Sequence, residues 1–176
     1  MNQAQAERIK ALEVALTNES RERDFYMKHS ARTTNPLGRL MFQTLAHDES
    51  EHYQRILQLH KMLQAEGKWP DTIPLTVKGT EIRSILRDML ASVEDTPAAN
   101  RDDVDAVKIA VDFESRGVSF YEKLKENSDE PLEKAFYGML ASIEREHFLS
   151  LQEALEYFQD PAGWYRMKEK PHVDGG

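Results

Sequence analysis

The sequence predicts an all-α fold: a four-helix bundle made from two copies of one helical hairpin, joined by a long crossover with a short extra helix. Three observations predict it. Residues 11–57 align with 106–152 without a gap and are identical at 15 of 47 positions, which marks a duplicated structural unit. Four long stretches repeat apolar residues every three or four positions, the period of a helix with one buried face. Charged residues make up 31% of the chain, while 176 residues contain only 8 Gly and 7 Pro, a helix-forming composition.

Residues 3–31 read as the first helix, with Leu12, Leu16, Glu19, Arg23, Tyr26 and Ser30 on one heptad-like face. Asn35 is a natural N-cap and Pro36 suits the first helical position, so a second helix runs over 36–65. Its stripe is Met41, Leu45, Glu49, His52, Ile56, Leu59 and Leu63, and Glu66-Gly67-Lys68-Trp69-Pro70 ends it. Residues 67–80 form a loop containing Pro70, Pro74 and Gly79. A short amphipathic helix follows over about 80–94, with Ile82, Ile85, Leu86, Met89 and Leu90 inward. This crossover is too regularly patterned for a flexible linker, so no domain boundary falls in it. Thr96-Pro97 is a second cap-plus-proline signal and starts a third long helix over 97–127, with Val107, Ala110, Glu114, Gly117, Tyr121 and Leu124 on one face. Pro131 opens the fourth, over 130–158, which aligns Leu140, Glu144, His147 and Leu151. Residues 1–160 form one domain. Residues 161–176 are a C-terminal tail without regular period, expected to dock on the bundle or on a partner subunit.

Polar residues interrupt every long stripe at mid-height, and the repeat matches them. Glu49-x-x-His52 recurs as Glu144-x-x-His147, and Glu19 recurs as Glu114, each 30 residues before its Glu-x-x-His. Residues three apart share a helix face, so each Glu–His pair points at one spot, and a short turn brings the earlier Glu to the same height. Six such groups in a bundle core make a two-metal site. Four core carboxylates without cations would protonate or unfold the bundle. Two divalent ions at +4 cancel them with both imidazoles neutral, and two ferric ions with an oxo bridge balance as well. Oxygen donors with imidazole suit iron or manganese, and zinc can also occupy such a set.

Five further groups of residues stand near these stripes or could carry chemistry. Glu22 is either a seventh ligand or a solvated residue beside Arg23. Tyr26 and Tyr121 lie seven residues after Glu19 and Glu114, where each hydroxyl either supports a ligand carboxylate or is the polar tip of a core aromatic. Glu51 and Glu146 lie on another face, suited to solvation or ion pairing. His29, His47, His60 and His172 have no counterpart in the other hairpin and read as surface or interface residues. Met41, Met62, Met89 and Met139 read as core filler.

The formal charge of −8 argues against nucleic acid as a partner. The chain has no cysteine, hence no disulfide, thiolate zinc site or iron–sulfur centre of its own. No apolar run approaches a membrane span, and Met1-Asn2-Gln3-Ala4-Gln5 lacks a signal-peptide core. A soluble cytoplasmic protein is expected.

Glu19-x5-Phe25-Tyr26 followed by Glu49-x-x-His52, repeated as Glu114-x5-Phe120-Tyr121 and Glu144-x-x-His147, resembles the rubrerythrin branch of the ferritin-like superfamily over about residues 5–158. The resemblance implies a ferritin-like bundle with a non-haem di-iron centre that reduces hydrogen peroxide to water as protection against oxidative stress, usually as a dimer or larger. It implies that Glu19 and Glu114 are terminal carboxylates, that Glu49 and Glu144 bridge two iron ions, and that His52 and His147 cap one each. Two departures stand out. The cysteines of a rubredoxin domain are missing, so electrons must come from an external donor such as a rubredoxin-like protein. The extra Glu that rubrerythrins carry three residues after one first-helix carboxylate is Glu22 in the first copy and Gly117 in the second. The symmetric ligand set also resembles bacterioferritins, which oxidise ferrous iron with dioxygen or peroxide and store it. A non-enzymatic metal-binding protein is the third reading.

Overall fold

The computed structural model describes residues 3–70, 79–92 and 99–168. Pro74, Thr96, Pro97, His172 and the side chain of Leu90 lie outside the described residues. The described chain forms α1 (Gln3–Arg32), α2 (Pro36–Glu66), α3 (Ile82–Ser92), α4 (Arg101–Asn127), α5 (Pro131–Gln159) and α6 (Pro161–Lys168).

Local chemistry sets the boundaries. Asn35 accepts the Gly38 amide at 2.9 Å with Pro36 in the first turn, so α2 starts where the sequence predicts. It stops at Gly67, whose φ of 71° is the left-handed conformation that glycine adopts without a Cβ clash, and whose amide returns to the Leu63 carbonyl. The predicted start of the third helix at Pro97 is corrected. Ala99 and Asn100 are not helical, and Asn100 and Asp103 cap each other reciprocally through side chain and backbone. This capping box outweighs the proline signal upstream.

Two further expectations are corrected. The buried stripe of α1 is Leu12, Ala15, Glu19, Glu22 and Tyr26. Leu16 and Arg23 are half-buried at its margin: both stripes have the same mean spacing, and the inward face is centred on the side of Ala15 and Glu22, which period alone does not choose. The described part of the tail is not irregular: residues 161–168 form α6, and Trp164, 8% exposed, packs edge-on to Tyr157.

Two apolar clusters fix the topology. One joins the C-terminal half of α1 (Tyr26), the start of α2 (Leu37, Met41, Phe42), the start of α4 (Ala106, Val107) and the end of α5 (Leu151, Ala154, Phe158). The other joins Leu12 and Ala15 of α1, Ile56 to Leu63 of α2, Tyr121 of α4 and Phe136 to Leu140 of α5. Hence α1 and α5 run one way, and α2 and α4 the other. The link from α2 to α4 must therefore travel the length of the bundle. Its helix α3 lies against α2 and α5 and buries Ile82 and Leu86 in the first cluster. The duplication reaches further than the aligned segments. Trp69 and Trp164 are also 95 residues apart, and each closes one cluster, one at either end. No described helix is long and apolar enough to cross a membrane.

Candidate metal centre

Between the two clusters lies a polar layer. Glu19, Glu49, His52, Glu114, Glu144 and His147 are each at most 2% exposed. α1, α2, α4 and α5 each contribute to it, as the matched stripes predict. The donor atoms form two groups: Glu19, Glu49, His52 and Glu144, and Glu49, Glu114, Glu144 and His147, with the atoms of each within 4.8 Å of one another. Glu49 and Glu144 belong to both, so the two groups share one wall of carboxylates.

Within the first group, His52 Nδ1 lies 3.0 Å from Glu49 Oε2, 3.2 Å from Glu19 Oε2 and 3.4 Å from Glu144 Oε1. Within the second, His147 Nδ1 lies 3.3 Å from Glu49 Oε1 and 3.4 Å from Glu114 Oε2. The imidazoles face each other nearly parallel, with ring centres 5.8 Å apart. Among the described residues, Glu49 Oε1, Glu114 Oε2, both Glu144 oxygens and His147 Nδ1 have no hydrogen-bond partner. Buried polar atoms are rarely left this way. Here they converge, which is the arrangement that bound cations satisfy.

Electrostatics point the same way. Burial raises Glu19 to about 7, with Glu49 adding to it. Burial raises Glu22 to about 9, reinforced by Glu49, Glu114 and Glu19. Burial, then Glu49 and Glu114, raise Glu144. Burial alone would raise Glu49, but the imidazoles of His52 and His147 outweigh it and hold Glu49 below the usual range. Conversely, burial would lower both histidines. Glu49 beside His52, and Glu114 and Asp48 beside His147, raise them instead. The layer thus shares protons to limit its charge, and entering cations would displace them.

Tyr26 donates its hydroxyl to Glu114 Oε1, and Tyr121 donates to Glu19 Oε1. Each tyrosine therefore supports the carboxylate of the other hairpin. Burial raises both phenols, and the charge of the accepting carboxylate adds to it, so they keep their protons as donors.

Glu22 is not solvated beside Arg23. It is 5% exposed and pairs at 3.8 Å with Arg21, although it stands outside both donor groups. Its counterpart Gly117 abuts the shared wall, where an added Cβ would come 3.0 Å from Glu144 Oε2. Glu51 ion-pairs with Arg55 at 3.9 Å and Glu146 is exposed, both away from the layer. His47 is exposed, while His29 and His60 are half-buried; neither donor group includes any of the three.

Asp48 is the residue that sequence reasoning missed. Its Oδ2 lies 3.1 Å from Nε2 of His147. One position before Glu49, it points 100° away around α2 and reads as surface. Only the packing of α5 against this face reveals it.

The chain matches no curated protein and no solved structure. It matches the rubrerythrin family over residues 10–155, from the first helix to the last of the four, and the buried carboxylate–imidazole layer fits the metal centre of such a protein. The chain belongs to the rubrerythrin family.

Proposed function

We propose that the protein is a non-haem di-iron oxidoreductase that reduces hydrogen peroxide to water with electrons from an external donor. The observation that carries this reading is the pair Glu49 and Glu144 shared by two buried donor groups, in a chain of the rubrerythrin family. Glu19 and His52 would complete one metal position, Glu114 and His147 the other, and Glu49 and Glu144 would bridge them. Manganese or zinc would fit the same donors.

When bound, a ferrous pair supplies the two electrons that cleave the O–O bond of peroxide, which with two protons gives two waters. The residues prepare that chemistry. Tyr26 and Tyr121 hold Glu114 and Glu19 at their Oε1 atoms and leave the other oxygens turned inward. His52 and His147 present Nδ1 to the centre. The two apolar clusters exclude bulk water from both ends of the layer. Glu22 is buried, outside both donor groups.

These 176 residues hold no cysteine for a rubredoxin-type centre, and the reading pairs the di-iron centre with an external one-electron carrier, such as a rubredoxin-like protein. A cytoplasmic homodimer is the setting the family resemblance supports. The test is anaerobic: iron-loaded, chemically reduced protein is mixed with peroxide or with dioxygen, and oxidation is followed by absorbance. Faster oxidation by peroxide, with catalytic turnover when a reduced rubredoxin is supplied, is expected. Oxidation of added ferrous iron with storage in a large hollow assembly would establish a ferroxidase instead. No turnover after iron loading would leave a non-enzymatic metal-binding protein.

A further inference from the structure

The repeat makes the two metal positions look equivalent, but their surroundings are not. His147 Nε2 faces Asp48 Oδ2 at 3.1 Å, with the imidazole fully buried and the Asp48 side chain 14% exposed. Position 48 aligns with 143, where the second copy has Ile143, 6% exposed. His52 accordingly has no matching acid: its Nε2 is buried and without a hydrogen-bond partner among the described residues.

This difference acts on the nitrogen that faces the metal. A carboxylate on the outer nitrogen of a ligating imidazole keeps the proton there. It leaves the inner nitrogen free to donate its lone pair, fixes the ring orientation and raises ligand basicity. His147 has all three advantages, and its Nδ1 is the inward atom. His52 presents Nδ1 to Glu19, Glu49 and Glu144, but nothing fixes the proton on its far side. When its Nδ1 binds a cation, the Nε2 proton is left buried without an acceptor.

We propose that Asp48 is a positioning residue that makes the two metal positions unequal. The position formed with Glu114 and His147 takes a divalent cation first and holds it more tightly than the one formed with Glu19 and His52. This inference rests on the ligand assignment proposed above. It adds an order of filling and release that the repeat does not predict.

The test uses the full chain, stripped with a chelator, checked for helicity by circular dichroism and titrated anaerobically with Co²⁺. Uptake is read by calorimetry and by visible absorption. The wild type should take two Co²⁺ per chain in two steps whose dissociation constants differ about 10- to 100-fold, the usual effect of an outer carboxylate on a ligating histidine. His52→Ala should remove the weaker step and keep the tighter one. Asp48→Ala should weaken the tighter step by about the same factor and leave the weaker one, with Asp48→Asn intermediate. Because Asp48 lies at the edge of the layer, folding of the Asp48 variants should survive, and circular dichroism checks that His52→Ala keeps its helices. Two equal steps in the wild type would overturn the inference alone. So would an Asp48→Ala chain that weakens both steps together or neither, or a His52→Ala chain that loses the tighter step. Absence of any Co²⁺ uptake would overturn both the inference and the two-metal reading.

Discussion

Stripping the metal should make the protein less stable as pH rises from 5 to 9, the reverse of what an acidic domain with surface salt bridges would show. The sign follows from Glu19. Its folded pKa is raised by burial, with Glu49 adding to it, from 4.5 to about 7. A carboxyl raised in this way contributes fully below its unfolded pKa, and the contribution is lost as pH climbs through the folded value. At 1.36 kcal/mol per pKa unit, Glu19 alone accounts for about 3 kcal/mol. Glu22, raised to about 9 mainly by burial, extends the loss to higher pH. His52 and His147, raised because neighbouring carboxylates outweigh burial, act in the same direction. Glu49 is held low and keeps its contribution throughout the window. His29, lowered by burial and by Arg32 and Lys28, opposes the trend near pH 6.5, but it is half-exposed and weaker. For a chain of this size, ~3 kcal/mol corresponds to a fall in Tm of about 6–12 °C. The assay is thermal unfolding by circular dichroism in chelator at pH 5, 6, 7, 8 and 9, repeated with excess Mn²⁺. Cations displace the protons, so the gap in Tm between the loaded and stripped protein should widen with pH. A stripped-protein Tm that is flat or rises from pH 5 to 9 would refute the claim that the carboxylates share a cation-dependent layer.

Tyr26→Phe removes the hydroxyl that supports Glu114 and should lower stability by about 1–3 kcal/mol in urea titrations; an unchanged midpoint would show that the hydrogen bond adds nothing. Arg8→Met strands Glu133, which is buried and sits 3.1 Å from the Arg8 guanidinium. Because the Arg8 side chain is 30% exposed and so partly screened, the expected loss is about 1–2 kcal/mol rather than that of a fully buried pair, again read by urea titration. Gly117→Ala brings a methyl to 3.0 Å from Glu144 Oε2. Since Glu144 lies in both donor groups, Zn²⁺ competition titration should show weaker binding at both positions, by roughly tenfold, with helicity retained. Full affinity would mean that the carboxylate moves aside without cost.

Much of this was legible in the chain because duplication writes the same stripe twice. Glu19, Glu49 and His52 find their partners at a constant offset, and helical geometry does the rest. What stayed hidden depends on a neighbouring element. The direction of the tyrosine bonds, from Tyr26 to Glu114 and from Tyr121 to Glu19, follows from how the hairpins lie across each other. Asp48 becomes an interior partner only because α5 packs over it. The start of α4 differs from the sequence expectation because a proline three residues upstream is a weaker signal than the reciprocal bonds of Asn100 and Asp103. The helix at 161–168 is short, and Trp164 anchors it by tertiary packing, which periodicity does not reveal. The Trp69 and Trp164 spacing was available in the sequence, but it lies beyond the segments where identity draws the eye.

The crossed tyrosines make each hairpin dependent on its sibling. A single hairpin would have an acid lacking its hydroxyl donor and half a set of cation donors until it met another, so its assembly would be second-order and fail on dilution. Joining both through one connection converts that encounter into a first-order event at an effective concentration on the order of millimolar. The centre can then be completed by one chain, however scarce the protein.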